Sequence, residues 1–70
     1  MSFTVLAESK DGGQHRWEGL TIQQATPIYD TIKAGINGTS KKKEVVDPKN
    51  PASKINIDCG HLFAVELKEV

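Results

Sequence analysis

The chain has a single cysteine, Cys59, so no disulfide can form within it. A lone thiol in so small a protein points to a reducing compartment rather than a secreted disulfide scaffold. Charge of one sign is also missing: nine Lys and Arg balance nine Asp and Glu, for a formal net charge of zero. Nucleic-acid modules usually carry a clear basic surplus, so nucleic acid is a disfavoured partner. No apolar run comes near the roughly 18 residues that a membrane helix needs. The start, Met1-Ser2-Phe3, has neither the basic nor the apolar segment of a secretory leader. The expectation is a cytoplasmic protein with no membrane partner.

Metal-ligand types are scarce as well. One Cys and two His cannot supply the four ligands of a structural zinc site, and no paired Cys spacing occurs, so no metal and no cofactor is expected. What is there is 70 residues, read as a single small domain spanning 1–70. A chain of this size buries only about 60% of the surface that its unfolded form exposes. Such domains usually gain stability from a disulfide, a metal or a partner subunit. With the first two set aside, self-association is favoured, and the expected partners are the protein itself and an unknown second protein.

Residues 2–8 alternate in strand fashion, with Phe3, Val5 and Ala7 on one face. Lys10-Asp11-Gly12-Gly13 is turn chemistry, since Asp-Gly and Gly-Gly accept the positive φ that hairpins demand. The run from Gln14 to Leu20 returns as a second strand anchored by Trp17. Thr21 and Gln24 form a T-x-x-Q capping box, which opens a helix over about 21–35. Its apolar positions are Ile22, Ala25, Tyr29, Ile32 and Ile36, at helical spacing. Pro27 lies inside this span and predicts a bend. Gly35, or Asn37-Gly38, ends the helix.

From about 38 to 53 the composition turns polar, and Pro48 and Pro51 forbid a central strand between them. This stretch reads as a polar connector, with a short edge strand at Lys43–Val46 as the one element it can hold. Beyond it, Ile55 and Ile57 alternate with polar residues, Asp58-Cys59-Gly60-His61 makes a turn or bulge, and Phe63, Val65 and Leu67 share a face of a final strand. The fold expected is α+β: a small antiparallel sheet in the order β-β-α-β-β, with one helix packed on one face.

Three features carry candidate chemistry. On a strand Cys59 and His61, two residues apart, share a face, but no orienting group or oxyanion hole accompanies them, so no catalysis is assigned. Lys41-Lys42-Lys43, with Lys49 nearby, is the candidate contact for a partner or a phosphate, although Glu44 and Asp47 dilute its charge. Gly38-Thr39-Ser40-Lys41 follows a helix rather than a strand and is not a phosphate loop. The chain is therefore read as a non-catalytic binding protein, a homo-oligomer that occupies a macromolecular partner as an inhibitor or regulator does. Its size and make-up suit an accessory protein of bacteria or of mobile elements such as phages. Two alternatives use the same lysines: a binder of a nucleotide or phosphorylated metabolite, and a nucleic-acid-binding protein.

Overall fold

Phe3–Ser9 (β1) and Gln14–Leu20 (β2) pair as the predicted hairpin in the computed structural model, which describes residues 1–70. In its turn the Gly12 N–H donates to the Ser9 carbonyl at 3.1 Å, and the Asp11 carboxylate accepts from the Gly13 N–H at 3.0 Å. Gly12 takes φ +94°, where a Cβ is costly, and this is the position that requires glycine. Trp17, opposite Val5, is buried as expected. A bulge follows, with Gly19 at φ +66°, and shifts the register before Leu20 meets Phe3.

Ile22–Asn37 forms α1. Both arms of the capping box are made: the Gln24 N–H donates to Thr21 Oγ1 at 3.2 Å, and the Thr21 N–H to Gln24 Oε1 at 3.0 Å. The helix runs on through Pro27, which faces solvent and leaves the Gln23 carbonyl without its helical donor. At the other end Gly38 is extended, its N–H reaching the Ala34 carbonyl at 2.8 Å.

The stretch read as a polar connector is mostly strand. Lys42–Asp47 (β3) pairs antiparallel with Asn50–Asp58 (β4), leaving a short link after the helix and a tight turn at Pro48-Lys49. The edge strand allowed at Lys43–Val46 is β3. Its partner begins earlier than its composition suggests, because Pro51, Ala52 and Ser53 loop out of the ladder between the Val46–Lys54 and Asp47–Asn50 pairs. A proline sits there without breaking a ladder bond. After a 3₁₀ turn at Cys59–His61, Leu62–Glu69 (β5) returns alongside β1.

The architecture is α+β, with one helix and antiparallel strands as expected, but the five strands divide into two sheets: β2-β1-β5, and a separate ribbon β3-β4. The 3₁₀ turn causes the division. Asp58 Oδ1 accepts the Gly60 N–H at 2.9 Å, and the chain leaves β4 in a new direction. The helix packs on both units. Val5, Ala7, Trp17 and Leu20 from the sheet meet Ala25, Ile28 and Ile32 of α1, and Val45 and Ile57 come from the ribbon.

Two faces differ from expectation. The buried stripe of α1 is Ala25, Ile28, Ile32 and Gly35, whereas Ile22 is 40% exposed and Tyr29 and Ile36 are half-buried. On β5 the register shifts between the Glu8–Ala64 and Ser9–Leu62 pairs. That bulge sends Leu62 into the core and leaves Phe63 58% exposed, beside Val65 at the rim of the helix face.

Candidate functional site

The four lysines singled out from the sequence do not converge. Lys41 sits at the helix end, where its ammonium donates to the Ile36 carbonyl at 2.7 Å and its own carbonyl accepts the Cys59 N–H at 2.7 Å. It works as a helix cap. Lys42 and Lys43 are successive residues of β3 and project to opposite faces. Lys42 is exposed on the outer face, while Lys43 lies half-buried against the helix, its stem beside Gly35. Lys49 occupies the β3–β4 turn, beyond the far end of β3, with its ammonium against the Gly19 bulge of β2. A six-residue strand spans about 20 Å, so no single phosphate group reaches all four.

The Cys59–His61 pair is also separated. The 3₁₀ turn replaces the strand geometry that would have put both on one face. Cys59 is buried against Gly35, while His61 points outward, its ring 3.5 Å from Asp58 Oδ2, with both side chains largely in solvent. Burial pushes the Cys59 thiol above its ordinary pKa, and Lys43 only partly offsets this. A buried protonated thiol is a packing group, not a nucleophile. No three His, Cys, Asp or Glu side chains come together in a way that could hold a metal ion.

Two surfaces stand out. The larger is a trough of about 510 Å³ on the ribbon, lined by Lys42, Glu44, Asn56 and Asp58 around the backbone of Lys43 and Ile57. Lys42 pairs with Asp58 and Glu44 with Asn56 across the ladder, and Lys54 reaches Glu44 at 3.6 Å. Cation and anion thus alternate over an open strip, with Val46 39% exposed beyond it. The second surface is a groove of about 170 Å³ between α1 and β5, lined by Tyr29, Lys33, Ile36, Phe63 and Val65 among others. The Lys33 ammonium lies 5.5 Å from the centre of the Tyr29 ring and covers part of it.

Of the trough residues, Lys42 and Lys43 are among the candidate contacts that the sequence offers. Asn56 and Asp58 become visible once β4 is recognised, because their alternation with Ile55 and Ile57 puts them on the face away from the core. The signal for the groove was an apolar residue too many: α1 has two apolar stripes, and only one fits the core.

Comparison with protein-family models, with curated proteins and with solved structures finds no match for this chain. No helix is long and apolar enough to cross a membrane.

Proposed function

We propose that the chain is a non-catalytic binding module that occupies a macromolecular partner, in the manner of an inhibitor or regulator, through the outer face of the β3–β4 ribbon. The observation that carries this reading is the mixed-charge trough of Lys42, Glu44, Asn56 and Asp58. Alternating charges with exposed strand backbone suit a protein surface, which offers both signs and hydrogen-bonding edges. A nucleotide or nucleic-acid backbone would bring phosphates against Glu44 and Asp58 as well as Lys42, and the two acids oppose it.

The test is affinity capture from extracts of the cells that make the protein, using the natural chain, a Lys42→Glu/Glu44→Lys charge-swapped variant, and Lys49→Ala as a control off the trough. The expected result is one protein retained by the natural chain and by Lys49→Ala, and lost from the charge-swapped variant. Capture that ignores the swap sinks the assignment of the surface. A salt-dependent mobility shift with DNA or RNA would replace the protein partner with a nucleic acid.

A further inference from the structure

The β5 edge is the longest regular one. Each sheet has two open edges, and most are guarded against strand addition. β2 carries exposed Arg16 and Glu18 and is kinked by the Gly19 bulge. β3 presents Lys42, Lys43 and Glu44, and β4 carries Pro51 and Lys54. Charge, proline and bulges are the usual devices that keep an edge from pairing. β5 also carries charge, at Glu66, Lys68 and Glu69, but its bulge lies only at Leu62–Phe63. From Ala64 to Glu69 its ladder with β1 is regular, a longer unbroken run than on the other three edges.

The hydrogen-bonding groups along that edge follow from the ladder. The Val70 N–H donates to the Ser2 carbonyl at 2.8 Å, so alternate residues, Lys68, Glu66 and Ala64, turn their backbone groups toward β1. Val65 and Leu67 therefore aim their N–H and C=O groups away from the sheet. Their side chains lie on the helix face, half-buried, next to Phe63. Above them runs the second stripe of α1: Ile22, Tyr29 and Ile36, spaced by seven residues. A free strand edge and an apolar helix flank thus adjoin along a common border.

We propose that a second copy of this chain occupies this border, with β5 pairing antiparallel to the partner's β5 about a twofold axis at Val65. The two sheets then join into one of six strands, and the helices meet flank to flank on the same face. Three observations favour a second copy. Centring on Val65 sets Phe63 and Leu67 of each copy across from one another and Val65 against itself, an unbroken apolar row on the helix face. It also places Glu66 opposite the partner's Ala64, whereas an axis at Glu66 would oppose like charges. An axis at Leu67 would pair Glu66 with the partner's Lys68, but such exposed ion pairs contribute less than covering Phe63. Lys33 is the one charged residue lining the groove, and Glu69 continues the helix face of β5. Glu66 and Lys68 pair with each other at 3.1 Å on the opposite face, so two identical borders carry no net charge of one sign. The dimensions agree as well. β5 with eight residues and α1 with sixteen are each about 25 Å long. A strip of that length two layers deep, about 20 Å, covers about 500 Å² per copy, or about 1,000 Å² in all, the lower bound for a specific dimer. The dimer is accordingly expected at micromolar concentrations. This inference is independent of the ribbon's role, since the test requires no other partner.

The experiment is sedimentation of the full chain from low to high micromolar concentration, with amide hydrogen exchange at both ends of that range. The natural chain should pass from monomer to dimer, and the Val65 and Leu67 amides should exchange roughly tenfold or more slowly in the dimer, while the Glu66 and Lys68 amides are protected at both concentrations. Phe63→Lys, at a position already exposed, should stay monomeric with unchanged circular dichroism. Val65→Pro removes an outward N–H without cutting the β1 ladder and should do the same. A natural chain that stays monomeric overturns the proposal. So does a dimer that survives both substitutions, or one in which the Val65 and Leu67 amides gain no protection.

Discussion

Gly35 marks the closest approach in the molecule. A Cβ there would collide with Cys59 Sγ, and would stand 2.9 Å from Cys59 Cβ and 3.0 Å from the Lys43 stem. Gly35→Ala gains helix propensity but overpacks this contact, and should destabilise the fold by about 1–3 kcal/mol in urea titration. Cys59 behind it should react slowly with a thiol reagent until the chain opens. Its raised pKa has a definite sign: the stabilisation from the neutral buried thiol is fully present below the unfolded cysteine pKa and is lost as pH rises through the folded one. Stability should therefore fall at alkaline pH, and less steeply in Cys59→Ala. Asp11 works in the opposite direction. The Gly13 N–H, and then Ser9, hold its carboxyl below the ordinary range, so its contribution is present above the unfolded aspartate pKa and is lost as pH falls through the folded value. Thermal midpoints of the natural chain and Asp11→Asn should differ at neutral pH and converge in acid.

At the scale of elements, the capping box gives the plainest prediction. Thr21→Ala removes the acceptor for the Gln24 N–H and should cost about 1 kcal/mol, read as a drop of about 4–8 °C in Tm. The first hairpin and the start of α1 were legible in the sequence because their signals are local: Asp-Gly-Gly in the turn, Thr21 and Gln24 at the cap. The ribbon was obscured because Pro48, Pro51 and five lysines between Lys41 and Lys54 resemble a loop, and the pairing that makes them strands is a property of two segments together. The core face of α1 is hard to read from sequence for a different reason. The true core stripe is completed by the small residues Ala25 and Gly35, while the larger Ile22, Tyr29 and Ile36 drew attention to the flank. The lysines illustrate the same limit: neighbours in sequence are opposed across a strand.

For the whole molecule, eleven residues form the buried core, and its stability is expected to be a few kcal/mol. A self-pairing β5 edge would add to this by mass action, so the thermal midpoint should rise with protein concentration, and Phe63→Lys should remove the rise. The mixed-charge ribbon lies on the opposite flank of α1 from the β5 groove: Pro27 and Thr31 face Val45 and Val46, while Tyr29 and Ile36 face Phe63. Pairing through β5 would thus leave both ribbons open, and the assembly would present two copies of the trough.

The pairing of β1 with both β2 and β5 has a consequence for how the chain is made. Phe3 faces Glu69, and the hairpin tip is fastened to the 3₁₀ turn by the Lys10 N–H on the His61 carbonyl at 2.8 Å. On a ribosome, the β1–β2 hairpin and α1 emerge while β1 still lacks one neighbour, and the central strand of the sheet stays an unfinished edge until Leu62–Glu69 clears the exit tunnel. Such long-range closure slows folding and leaves the nascent chain sticky. A ribosome stalled before Ala64 should therefore hold a protease-sensitive hairpin and helix, and one stalled on a flexible linker fused after Val70, long enough to fill the exit tunnel, a protected domain.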